Sequence, residues 1–517
     1  MTRTRIDVVA VLGVLALLVA GCADGGSSAD KQAAGAEPIA AFTLMAPADV
    51  TASQLVARAL VSAGQACPPV KATGGSGPVS IPMTERLPGP LAAPAFSTVR
   101  SCSANLPSGL TSASIAGASI PAALPATVSK VALVADTGCE VDDPDVQDCK
   151  SPTGWPLATI ASKVAAAKPD VILDPGDYYY LESACPANAQ AKCGGSVPPV
   201  PGMPFYESSE GWLQDVIRPM SAMFPVAPMA MLRGNHEDCG RAGNGFFLYL
   251  DPRPGTENTC EPVQVAGPAA AKAQAAGPKP LKCPETGPCT PRVTSIALKP
   301  AGPQLTPTWA FTLPVTASRT LRLAMVDNAY GSDKELTPWT TEQRKSYQQA
   351  QTLTTPTAGR ESWLLGHRPI FGLMSKTEIP PNEPQATAWT SDGQMVSSYG
   401  LLSNYSMLLS AHLHLTQAVQ IPGQPASLVM GNGGADLEPA TGYTPPKVGP
   451  LANADGTAMV STLKPYPPAS FTWTKVNFGY AIASPQQAAG AWSIKQFDYT
   501  GAGTGTCSLA AKKISCT

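Results

Sequence analysis

The chain has 517 residues, with 35 Lys+Arg against 37 Asp+Glu and a formal net charge of −2 at pH 7. That balance, with no cluster of basic residues, argues against a nucleic-acid partner. Its 54 prolines and 46 glycines make about a fifth of the chain, under the ~25–30% of disordered, low-complexity sequence. A globular, loop-rich protein with a large core is expected.

Taken in chain order, Arg3 and Arg5 precede an apolar run over residues 8–20 that is too short to cross a bilayer. The run ends in Leu-Val-Ala-Gly-Cys, residues 18–22, which resembles the lipobox of bacterial lipoproteins. The resemblance implies a signal peptide over 1–22, acylation of Cys22 and attachment to the outer face of the bacterial cell membrane; an ordinary secretory signal cut nearby is the alternative. Residues 23–42 read as a flexible tether. Over 43–129, short strand-like pieces such as "QLVARALVS", "PVSIPM" and "FSTVRSC" between Pro/Gly turns predict a small β-rich domain.

From residue 130 to 517 the texture changes. "KVALVAD", "PDVILDPGD" and "APMAMLRGNHE" read as strands, and "GWPLATIASKVAAAK" and "EGWLQDVIRPMSAMF" between them as helices. This alternation predicts an α/β fold with a parallel sheet, in which working residues lie just past the strand C-termini. Residues 263–310 read as a low-complexity surface insertion. "TLRLAMVDNAYG", a helix from Pro338 to about Leu353, "ESWLLGHRPIFG", "SMLLSAHLHL" and "ASLVMGNGGADL" continue the pattern. "FGYAIASP" and "AWSIKQFDYTG" are expected to be the last paired strands.

Thirteen cysteines less Cys22 leave twelve, an even number suited to disulfides in an exported protein. Nearest neighbours suggest 67–102, 139–149, 185–193, 239–260, 283–289 and 507–516, although sequence does not fix the connectivity. There is no C-x-x-C pair to suggest a zinc knot.

The chain has four histidines, His236, His367, His412 and His414, each at the end of an apolar strand-like run. Scattered structural histidines would not be expected to group this way. His412 and His414 are two apart, so on an extended segment both would face one cluster. Asp177 and Tyr180 come from "GDYYY", and Asn235 with His236 from "GNHE". Such oxygen and imidazole donors suit zinc, manganese or iron. Asp136 in "DTG" also allows an aspartic protease, but that chemistry needs a second Asp-Thr/Ser-Gly loop, and none is present.

The ordered blocks "DTG", "GDYYY", "GNHE", "LLGH" and "AHLH" resemble the five-block signature of the calcineurin-like metallophosphoesterases, and most closely the purple acid phosphatase branch. Most of that superfamily opens with Asp-x-His, whereas Gly138 stands at the histidine position here. In the purple branch a tyrosine, here Tyr180, restores the missing ligand. The resemblance implies a four-layer αββα sandwich and two metal ions. Fe3+ would be held by Asp136, Asp177, Tyr180 and His414. Fe2+, Zn2+ or Mn2+ would be held by Asp177, Asn235, His367 and His412. Asp177 would bridge the two, and a metal-bound hydroxide would attack a phosphorylated substrate, most simply a phosphomonoester. A tyrosinate on ferric iron would colour the protein.

His236 is implied as the catalytic residue beside the leaving group. Arg233 and Arg368 flank the site as phosphate binders or as structural ion-pair partners. Departures are Ala411 and Ala135 where glycine is usual, tolerable unless φ must be positive there. A phosphodiesterase or nucleotidase on the same site, or a lipid-anchored binding protein without turnover, are the competing readings. Cys22→Ala is expected to move the protein from the membrane to the soluble fraction with activity retained; fractionation that leaves the variant on membranes would refute the anchor.

Overall fold

The computed structural model describes residues 37–89, 92–197, 200, 207–239, 241–253, 260, 305–329, 340–373, 396, 399–439 and 470–517. The signal segment with Cys22, most of the tether, residues 263–304 of the insertion and the 283–289 cysteine pair lie outside them.

Two large sheets dominate. The eleven-stranded sheet runs Lys513–Cys516, Gly503–Ala510, Trp492–Asp498, Gly479–Pro485, Val131–Leu133, Val171–Asp174, Met229–Met231, Ala40–Met45, Leu55–Ser62, Val99–Asn105, Thr84–Arg86. Its centre, from Val131–Leu133 to Ala40–Met45, is parallel. The seven-stranded sheet runs Trp309–Thr316, Arg319–Val326, Arg360–Gly366, Met407–Ser410, Ala426–Met430, Thr416–Gln420, Phe471–Lys475. Its four parallel strands are Arg319–Val326 to Ala426–Met430.

Central parallel strands are buried on both faces, so their sequences are apolar throughout and the two-residue period sorts side chains between layers. Val131, Leu133, Val171, Leu173, Leu323, Trp363 and Leu409 share one core cluster between the sheets. Ala132, Ile172 and Met229 instead pack with Leu157, Ile160 and Val164 of helix Leu157–Ala167. Ala324, Leu364 and Leu408 pack with Tyr347 and Ala350 of helix Thr340–Leu353. The class is mixed α/β and strand-rich. The helix expected over 210–224 is interrupted by a wide turn at Leu213–Ile217. Pro219, lacking an N–H, cannot bond the carbonyl four residues back. Among the described residues no helix is long and apolar enough to cross a membrane.

Three expectations are corrected. The tether does not extend to residue 42, because Ala40–Met45 is a buried strand paired with both Met229–Met231 and Leu55–Ser62. Residues 43–129 are β-rich but continue the main sheet, and Val70, Leu110 and Ile115 of their four-stranded sheet belong to the inter-sheet core. A separate domain would need a core of its own. The chain also ends in a further hairpin, Gly503–Ala510 with Lys513–Cys516. Five of the expected disulfides, 67–102, 139–149, 185–193, 239–260 and 507–516, are formed.

Two buried arginines fasten the N-terminal strands to the turn Phe246–Leu250. Arg58 donates to the carbonyls of Leu248 (2.9 Å), Tyr249 (3.1 Å) and Asp251 (2.7 Å). Arg86 donates to that of Leu248 (3.1 Å). Carbonyls at a helix end have no donor within the helix, and each buried acceptor left bare costs ~1–3 kcal/mol. Arg58→Met should therefore lower unfolding stability by at least about 2 kcal/mol, read as a lower denaturation midpoint with an unchanged denaturant slope.

Candidate metal centre

Seven of the residues expected at the site lie within five positions of the C-terminal end of a parallel strand. Asp136 follows Val131–Leu133, Asp177 follows Val171–Asp174, Asn235 and His236 follow Met229–Met231, His367 follows Arg360–Gly366, and His412 and His414 follow Met407–Ser410. Asp136 (φ 52°), Asp177 (φ 60°) and His412 (φ 72°) are left-handed. Non-glycine residues adopt that conformation at a cost, and only where their surroundings enforce it.

Here the enforcement is visible. Asp136 N–H donates to Gly176 O (3.0 Å) and Thr137 N–H to Asp177 O (2.9 Å). His412 N–H donates to Asp136 Oδ2 at 2.7 Å. The Glu237 carboxylate accepts the N–H groups of Gly234, Asp177, Tyr178 and Tyr179. Ala411 and Ala135 are not left-handed, so alanine is tolerated at both positions.

Asp177 Oδ2 is the hub. His367 Nε2 lies 3.0 Å from it, the Tyr180 hydroxyl 3.2 Å and His236 Nε2 3.9 Å. On one side the Tyr180 hydroxyl also meets Asp136 Oδ1 (3.4 Å) and His414 Nε2 (3.0 Å). On the other, His367 Nε2 meets Asn235 Oδ1 at 3.0 Å, and one donor atom each from Asp177, His367 and His412 lie within 4.8 Å of one another. Because His412 is left-handed, the segment is not extended as expected. Its imidazole joins His367, while that of His414 joins Tyr180.

The donors fit a pair of cations. The outer nitrogens of His367 and His414 face the carbonyls of Pro175 and Asp436, which sets the tautomer that leaves Nε2 free to coordinate. A Cβ at Gly138 would lie 2.3 Å from Tyr178 O and 2.7 Å from Tyr180 Cδ2, so glycine there makes room for the tyrosine ring. Burial, then the charge of Asp177, pushes the Asp136 carboxyl well above its usual range. Burial, then both carboxylates, pushes up the Tyr180 phenol. Burial also disfavours ionised Asp177, but the imidazoles of His367, His236 and His412 hold it well below the ordinary value. Burial lowers the His414 pKa, which favours the neutral imidazole that a ligand needs. Crowded buried acids of this kind are what a cation relieves.

His236, the expected catalytic group, is part-exposed beside the hub, its side chain 17% exposed. Its ring stacks on Tyr180 at 4.0 Å, and Nδ1 lies against Glu182 Oε1. Burial would lower its pKa, but the carboxylates of Asp177 and Glu182 outweigh burial and raise it. Arg368 is partly exposed and donates to His412 Nε2 at 2.8 Å. Of the two readings given for Arg233, the ion-pair one has a visible partner. Arg233 is fully buried and donates through Nε (3.0 Å) and Nη2 (2.7 Å) to Asp327 Oδ2.

Sequence reading missed Glu237, Glu182 and Asp215. The last of these accepts from the N–H groups of Cys139 and Tyr180 at 2.8 Å. Only Glu237, inside "GNHE", carried a signal that could have found it.

No family model and no curated protein sequence matches the chain. Among solved structures, a purple acid phosphatase isolated from yellow lupin (Lupinus luteus) seeds is similar at 13% identity, covering 91% of this chain and 74% of its own, with a TM-score of 0.46. PhoD is similar at 12% identity, 93% and 92% coverage and a TM-score of 0.44. A dimetal phosphatase from Danio rerio is similar at 10% identity, 74% and 99% coverage and a TM-score of 0.34.

Gly138→Ala is expected to displace Tyr180, leaving far-UV circular dichroism unchanged while lowering metal per chain in elemental analysis. An unchanged metal content would show that the close fit at Gly138 is irrelevant to the centre.

Proposed function

We propose that the chain is a metal-dependent phosphoesterase that hydrolyses phosphomonoesters in the manner of an acid phosphatase. The observation that carries this reading is the shared Asp177 carboxylate, whose Oδ2 meets His367 on one side and Tyr180 on the other. Asp136, Asp177, Tyr180 and His414 would hold Fe3+, since a phenolate and carboxylates are hard anionic donors. Asp177, Asn235, His367 and His412 would hold Fe2+, Zn2+ or Mn2+. The αββα reading is supported by the apolar layers between the sheets and outside each.

Two cations would supply Lewis-acid charge for phosphoryl transfer to water. The chain's own residues do the rest. Arg368, at the partly exposed edge of the cluster, orients the phosphate by charge-assisted hydrogen bonds. His236, steadied at Nδ1 by Glu182 and across its face by Tyr180, presents Nε2 to the cluster. It gives a proton to the departing alcohol oxygen, so the products are an alcohol and inorganic phosphate. The segment 18–22 supports placing this activity on the outer face of a membrane through Cys22.

Purified protein should hydrolyse a chromogenic phosphomonoester and lose that activity on chelation. His236→Ala should keep its metals yet turn over ~10²–10⁴-fold more slowly, with a smaller loss for substrates whose leaving group needs no proton. Loss of a metal in this variant would make His236 a ligand instead.

A further inference from the structure

One half of the centre draws on supports outside the strands. Asn235 and His367 lie within four residues of the strands Met229–Met231 and Arg360–Gly366. Tyr180 stands six residues beyond its strand, Val171–Asp174. The outer nitrogen of His414 rests on the carbonyl of Asp436, six residues past strand Ala426–Met430. Neither support lies in a strand of either large sheet. The small ring closed by the Cys139–Cys149 disulfide bonds to Tyr180 and to Gly434, two residues before Asp436.

The contacts are specific. Within the ring, Val141 N–H donates to Tyr180 O (3.0 Å), and Val141 O accepts from the N–H groups of Glu182 (3.0 Å) and Ser183 (2.8 Å). Cys139 N–H and Tyr180 N–H share the Asp215 carboxylate, each at 2.8 Å. On the other flank the buried Gln147 donates through Nε2 to Gly434 O at 2.6 Å. The next residue, Ala435, donates its N–H to Asp136 O at 2.9 Å. Inside the ring, Gln147 Oε1 accepts from Glu140 N–H at 2.9 Å. One closed loop thus bonds to the segment bearing Tyr180 and to the segment supporting His414 and Asp136.

We propose that the Cys139–Cys149 ring is a brace for one half of the centre, setting the Asp136, Tyr180 and His414 donors. This rests on the two-cation reading above. A cross-link acts here by restricting the loop it closes. Hydrogen bonds made by a restricted loop hold their partners at a smaller entropic cost than those of an open one.

The test is elemental analysis and visible absorption of the full-length protein loaded with iron and zinc. Wild type should carry two metals per chain and be coloured; fewer than two would refute the two-cation reading itself. Given two, the double variant Cys139→Ala/Cys149→Ala should fall to about one metal per chain and lose its colour. Gln147→Ala, which keeps the disulfide but cuts the tie to Gly434, should lower iron content and retain zinc. Opening the remote Cys507–Cys516 bond with alanines should lower thermal stability without changing metal content. Equal loss of both metals on opening the ring, or an equal fall in the Cys507–Cys516 control, would overturn the brace. So would full metal content in both the ring-opened and Gln147→Ala proteins.

Discussion

Two carboxylates, Asp136 and Asp177, must be kept beside each other almost entirely out of water. Desolvating an ion costs on the order of several kcal/mol even after the protein relaxes, and like charges at close range add to that. The backbone offsets part of this cost. His412 N–H reaches Asp136 Oδ2 and His236 N–H reaches Asp177 Oδ1 (2.8 Å). The left-handed turns at both aspartates and at His412 follow from the same need, since they aim these amides and carboxylates inward. The Glu237 carboxylate completes the arrangement by fastening the Asp177 turn to Gly234.

This need also explains how the two sheets are tied. Asp136 belongs to a loop of the eleven-stranded sheet and His412 to one of the seven-stranded sheet, so their hydrogen bond crosses between sheets. The same is true of His367 Nδ1 with Pro175 O and of the buried Arg233–Asp327 ion pair. Asp327 is further fixed by Thr306, which donates both N–H (2.7 Å) and Oγ1 (3.0 Å) to Oδ2. An apolar inter-sheet core is non-directional and sets only the spacing. These directional polar contacts at one end of it set the registration that brings loops from both sheets to one point.

Much of the site was legible because its residues are local features of the chain. A central parallel strand reads as an apolar run, and its working residue follows within a few positions, as with Asp136 after "KVALV" or His367 after "WLLG". The parts that escaped depend on distant partners. Ala40–Met45 looks like the end of a small-residue tether, and only its pairing with Met229–Met231 and Leu55–Ser62 makes it a strand. Asp215 lies in an ordinary amphipathic pattern, and nothing there announces that its carboxylate serves Cys139 and Tyr180. Arg233 could have faced a phosphate or an aspartate, and the choice rests with Asp327 nearly a hundred residues away. The disulfides were readable because each of the five joins near neighbours, the widest separation being 35 residues.

The N-terminal strands bear on the site through the same logic. Ala40–Met45 is parallel to and hydrogen-bonded with Met229–Met231, the strand that delivers Asn235 and His236. Leu55–Ser62 and Thr84–Arg86 send Arg58 and Arg86 to the carbonyls of residues 247–253. That stretch lies within the loop closed by the Cys239–Cys260 bridge, which begins next to the Gly234–Asp238 turn. The turn bearing Asn235 and His236 is therefore held from its strand on one side and from a segment anchored by the N-terminal arginines on the other. In a separate domain, residues 43–129 could not supply this support. Their burial in the main sheet makes them part of the scaffold that positions the chemistry.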